Sequence, residues 1–181
     1  MLELHSLIAL APSATSKVLL PHAHFFDHVV VNNHRYMASS RATQARLADA
    51  LIAVRISNNG AVWVGELQDI FLVNQPAVGV HYFGRVRWLK PVEFDISNTL
   101  WHQFASLHVN LWEADKYLQD ADEQPEEIID LDQIYSHVVR QCVSVSDRTL
   151  WATIILNRDA KGEIVTLTQY WQYVCLASQL R

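Results

Sequence analysis

The chain has 181 residues and a formal net charge of −5, and half of it is hydrophobic, with six Trp, six Tyr and six Phe. That is enough apolar material for one cored domain, which argues against wholesale disorder. The acidic balance excludes a general phosphate-backbone binder, while a local basic face remains compatible with it.

Residues 1–20 read as a lead-in segment. "MLELHSLIALAPSA" lacks a basic start, carries Glu3, and its apolar run "LIALA" is shorter than the roughly 7–15 residues of a signal-peptide core. No apolar run approaches the roughly 20 residues that span a bilayer. Next comes "HAHFFDH" (22–28). On one strand, His22, His24 and His28 share a face at period two, with Asp27 opposite. Imidazoles two apart can reach one ion, as in cupin-type barrels. Such barrels also need a glutamate, and His28 stands near where it should be. His81 matches the later histidine only loosely. The plainer reading is preferred: a polar lead-in strand with solvated or hydrogen-bonded histidines, and no metal.

"VVVNNHRY" (29–36) begins as a β-branched run that suits a strand. "ATQARLADAL" has helical propensity, yet "LIAVRI" (51–56) alternates, so a strand is expected by about Leu51. Asn59-Gly60 is the strongest hairpin signal, since both residues tolerate the positive φ of a tight turn. The second strand should run through about Val73. In "VGVHYFGRVRWLKP" (78–91), Val78, Val80, Tyr82, Val86 and Trp88 share one face. His81, Arg85 and Arg87 share the other, with Phe83 as the exception, and Pro91 ends the strand. The positions of Leu100, Phe104, Leu107 and Leu111 predict a short helix over 97–112, with Asn98 as its cap. "LQDADEQPEE" (118–127) reads as an acidic loop. "SHVVRQCVSV" (136–145) and "LWATIILN" (150–157) read as strands joined by a turn, and residues 163–181 suit either a helix or a strand. The sum is a mainly β fold: a small, partly open antiparallel barrel with one or two short helices. It spans residues 21–160, followed by a C-terminal extension, 161–181, packed on or beside the barrel.

Other chemical motifs weaken on inspection. Five glycines include no GxGxxG, GxxxxGK[ST] or GxSxG, so phosphate-cradling enzymes and α/β-hydrolases lose ground. The acidic run from Asp120 fails as an EF-hand, with Pro125 where glycine is needed and Leu131 where glutamate is needed. His137 and Cys142, five apart on one strand, point to opposite faces and form no activated thiol pair. Cys142 and Cys175 lie among apolar residues and read as small hydrophobes in a reducing, intracellular setting.

Several phrases in one order resemble the bromo-adjacent homology (BAH) domain. They are "GAVWVGELQDIFL", "VHYFGRVRWLKP", "IIDLDQIYSHVVRQCVSV" and "LWATIILNR". Trp88, Pro91, Ile134, Cys142 and Val143 or Val145 match the family's pattern across about residues 28–158. "HVVVNNHRYMASSR" and "LHVNLWEADKY" are also similar to the C-terminal segments of fungal transposase-related proteins. The resemblance implies a non-enzymatic module that binds a protein or peptide, without a cofactor, in a chromatin- or mobile-element-associated protein of the nucleus. Family readers of methyl-lysine carry an aromatic two residues after the tryptophan, whereas here Lys90 stands there and would repel that cation. Nucleic acid is expected to bind feebly at most, through His81, Arg85 and Arg87. The contact surface is expected at Tyr82, Arg85, Arg87 and Trp88, with Trp112 and Tyr117, because interfaces favour aromatic residues and arginine. The alternative is a metal-dependent cupin-like enzyme using the HxHxxxH stretch. A third reading is a scaffold or mobile-element remnant with no ligand of its own.

Overall fold

The computed structural model describes residues 22–56, 61–75, 79–93, 109–119, 125–145 and 147–156. The lead-in, the C-terminal extension and most of the segment read as a helix lie outside them. The strands are β1 (His24–Phe26), β2 (His28–Val31), β3 (His34–Met37), β4 (Leu51–Arg55), β5 (Val62–Gln75), β6 (Gly79–Pro91), β7 (Asn110–Tyr117), β8 (Ile128–Asp130), β9 (Ile134–Val145) and β10 (Arg148–Ile155). Short 3-10 turns occupy Ser39–Arg41, Gln44–Ala50 and Leu131–Gln133. Among the described residues there is no α-helix. The expected helix over 97–112 is corrected at its C-terminal end. Leu111 and Trp112 lie in β7, paired with β10, because the extended form lets them pack partly against two different cores, Trp112 on one face and Leu111 on the other.

The main sheet runs β1-β5-β4-β9-β10-β7-β6-β8, and β5 also pairs with β6. Every pairing is antiparallel. The extra pairing closes β5, β4, β9, β10, β7 and β6 into a ring. Closure is thin between β6 and β7, where only Leu89↔Tyr117 and Pro91↔Trp112 match and the register shifts between them. Proline has no N–H to donate there. The architecture is therefore mainly β and partly open, as the strand signals indicate.

Asn59-Gly60 lies outside the described residues, but the strands on either side of that hairpin cue do pair, Arg55↔Val62 through Leu51↔Glu66. β5 and β6 are longer than the strands beside them. β4 covers only Val62–Glu66 of β5, so the far half of the hairpin projects as a blade, with β1 along one side and β8 along the other. At Gln68 the β5–β6 register shifts. This bulge puts Ile70 on the same side as Leu67, and both enter one core.

That core lies on the outer side of β4, β5 and β6. It holds Ile52, Val54, Leu67, Val86 and Trp88, and it is capped by Tyr36 from β3 and by Ile129 and Leu131. A second core fills the ring, built from Leu51, Ala53, Val64, Leu89, Val138 and Trp151, with Trp112 and Tyr117 packed against it. A third, of Val143, Val145, Leu150 and Ala152, lies on the other face of β9 and β10. β4 is thus buried on both faces, which explains its continuous apolar run.

Candidate functional site

Three strands bring an aromatic and cationic row together. On β5 and β6, Glu66 and Arg87 are direct cross-strand partners, and their side chains form an ion pair at 3.2 Å. Tyr117, at the end of β7, donates its hydroxyl hydrogen to the same Glu66 oxygen at 2.8 Å. The Arg87 guanidinium lies 3.7 Å from the centre of the Tyr117 ring. Beyond it, Tyr117 meets Trp151 of β10 edge to face at 6.0 Å. The Arg140 guanidinium of β9 covers Trp151 at 4.0 Å. Trp112 stands opposite Trp151 in register and donates its indole N–H to Thr153 Oγ1 at 2.7 Å.

The two titratable groups of the row shift in opposite directions. Burial, followed by the Glu66 hydrogen bond and charge, pushes the Tyr117 hydroxyl up to about 12. Burial also pushes Glu66 up, but hydrogen bonds from Ser39 and Tyr117 and the charge of Arg87 outweigh it and hold the carboxyl below its ordinary value. Arg87 is therefore neutralised. No carboxylate among the described residues pairs with Arg140.

Arg140 also lines a cleft of about 500 Å³ between the 3-10 turn Gln44–Ala50 and β9. Leu47, Leu51, Val138, Val139 and Leu156 give it apolar walls, and Asp49 and His137 stand with Arg140 as its other polar members. His137 is held in place: Nε2 donates to Arg35 O at 2.9 Å, and its ring stacks on Tyr36 at 4.2 Å.

No family model, curated protein or solved structure matches the chain.

The residues singled out from sequence are divided by the fold. Arg87, Tyr117 and Trp112 come together around Trp151. Trp88 does not join them. It is 0 % exposed in the outer core, with its indole N–H donating to Pro125 O at 3.1 Å, so a contact role for Trp88 is corrected to a packing role. Tyr82 is 48 % exposed, but it lies five residues away along β6, roughly 17 Å at strand rise. Arg85 forms an ion pair with Asp69 at 2.5 Å. The basic stripe is thus largely neutralised: Arg85 and Arg87 each face a carboxylate.

The histidine stretch does not form one strand. Asp27 is a bend that ends β1, and His28 begins β2 in a separate two-stranded sheet. Asp27 O accepts from Ala38 N at 2.9 Å, and its carboxylate pairs with Arg41 at 3.2 Å. The shared face assumed for His22, His24 and His28 is lost at that bend. Among the described residues no group of three or more metal-ligating side chains converges. Cys142 is also corrected: it is exposed rather than packed as a small hydrophobe.

Sequence reasoning missed Arg140 and Trp151. The alternation in "SHVVRQCVSV" carries a signal for Arg140, since it shares a strand face with the buried Val138. Nothing local indicates which indole it would cover.

Proposed function

We propose that the chain is a non-enzymatic module that binds a protein or peptide, with its contact surface along Arg87, Tyr117 and Arg140, the last held on the buried Trp151. The observation that carries this reading is the half-buried Arg140 guanidinium. It is fixed on an indole, has no carboxylate partner among the described residues, and borders a cleft with apolar walls. A cation held over an aromatic ring loses little side-chain freedom on binding, so it suits contact with a partner's carboxylate or carbonyl. Neutralised Arg85 and Arg87 favour a protein partner over nucleic acid, whose binding needs several free cations. The BAH-like ordering of strand phrases supports placing the module in a chromatin- or mobile-element-associated protein of the nucleus.

Peptide-display selection on the immobilised chain tests the reading. It should return a family of related peptides, and Arg140→Ala should weaken their capture about tenfold, the size expected for one lost charge-assisted contact. Selection without enrichment, or capture unchanged by Arg140→Ala and Tyr117→Ala together, would remove the proposal. Histone-tail peptides offered in parallel test the chromatin assignment, which requires that they bind above scrambled controls.

A further inference from the structure

The ladder between β4 and β9 stops early. Its last matched pair is Ile52↔His137, and the next β4 residue, Leu51, donates its N–H to Ala48 O to close the 3-10 turn. β9 continues to Val145. Leu156 N–H donates to His137 O at 2.9 Å, so the odd-numbered residues of β9 turn their backbone groups towards β10. The even-numbered ones turn away from it. Past the end of β4, the N–H and C=O groups of Arg140 and Cys142 therefore point off the sheet. Among the described residues, no strand lies beside them. The cleft opens along this same edge.

We propose that this edge takes up an extended peptide as an added strand, a carboxylate side chain meeting Arg140 and an apolar side chain meeting Val139 and Leu156. The inference rests on the interaction-module reading and deepens it by naming the partner's chemistry. Two observations converge on it. The outward backbone groups of β9 supply a ready template for strand pairing. Successive side chains of a strand face opposite ways. One face of this edge carries Arg140, while the other carries Val139, His137 and Leu156, so a docked strand meets a cation on one side and an apolar wall on the other. An alternating acidic and apolar sequence satisfies both. Asp49 lines the cleft as well, but it is exposed and screened by solvent, whereas Arg140 is half-buried against Trp151.

The test uses an end-capped octapeptide that alternates valine and glutamate, titrated into the full chain labelled with nitrogen-15. Saturable shifts should centre on the amides of Arg140, Cys142 and Leu47–Leu51. Methylating alternate backbone nitrogens of the peptide should abolish binding, and lysine in place of glutamate should weaken it about tenfold. Arg140→Ala should reduce affinity for the glutamate peptide to that of the lysine peptide. Cys142→Pro removes one outward N–H at a position where an edge strand tolerates proline, and it should also weaken binding. Equal affinity for the N-methylated peptide, or shifts confined to Tyr117 and Trp112, overturns edge docking and leaves the interaction module standing. Failure of this peptide together with failure of the display selection overturns both.

Discussion

At the residue scale, the Glu66–Tyr117–Arg87 cluster makes stability depend on pH at both ends of the range. The Tyr117 hydroxyl is raised in the folded chain, so its contribution is complete below its ordinary value near 10 and is lost as pH rises through about 12. Ultraviolet titration of tyrosinate should contain a step near 12 that Tyr117→Phe removes. Loss of a step near 10 instead would show that the hydroxyl is not held by Glu66. The Glu66 carboxyl is lowered, so its contribution is complete above about 4.5 and fades as pH falls through its folded value. Glu66→Gln should therefore cost about 1.5–3 kcal/mol at neutral pH, the range for hydrogen bonds to a charged group. The difference from the parent should shrink in acid, read as midpoints of urea unfolding at pH 7 and pH 3. Neither effect was legible in the sequence. Glu66 and Tyr117 are 51 positions apart, and no local pattern reports that β5 and β7 converge on the same side of the ring.

At the element scale, the fold depends on close approach between β5 and β6. Gly65 faces Trp88 across that pair. A Cβ at residue 65 would sit 2.4 Å from Val86 Cγ1 and 3.0 Å from both Arg87 O and Trp88 Cε3. The backbone oxygen cannot step aside as a flexible side chain can. Gly65→Ala should therefore destabilise by about 1–3 kcal/mol, the usual cost of overpacking. Thermal unfolding checks this, and an unchanged midpoint would mean that the two strands lie further apart. The pair itself was legible. Asn59-Gly60 and the period-two pattern of residues 78–91 both arise from local backbone chemistry, and both strands form. A second hairpin was less so: Asn32 and Asn33 both adopt positive φ, at 50° and 64°, and turn β2 into β3. Asparagine tolerates that region less readily than glycine, so the Asn-Asn pair signals the turn more weakly than Asn-Gly. The end of the expected helix misled for the opposite reason. Leu111, at helical spacing from the leucines before it, lies in a strand because β10 pairs with it and the cores pack against it, and that covering is a tertiary property.

At the scale of the whole molecule, the ring separates two jobs. Its filled interior, which includes Trp151, and the outer core of Trp88 and Leu67 provide stability, while the half-exposed guanidinium groups of Arg87 and Arg140, laid on Tyr117 and Trp151, and the adjoining edge of β9 reach solvent. That division explains why aromatic and cationic residues nominated from sequence ended in different roles. Side-chain chemistry alone ranks Trp88 with Tyr117, and only the sheet order distinguishes a core indole from a ring that holds a cation. The edge of β9 exists because β4 begins only at Leu51, and no residue within β9 records where its antiparallel neighbour starts. Arg140 thus stayed hidden although its strand was recognised.

Amide hydrogen exchange at Arg140 and Cys142 tests the central claim most directly, with Gln141 and Val143 as internal references bonded to β10. In the free chain, Arg140 and Cys142 should exchange fast while the two references are protected, and adding the valine–glutamate octapeptide should slow Arg140 and Cys142 alone. Strong protection of Arg140 and Cys142 in the free chain, or fast exchange that the peptide leaves untouched, would contradict the account.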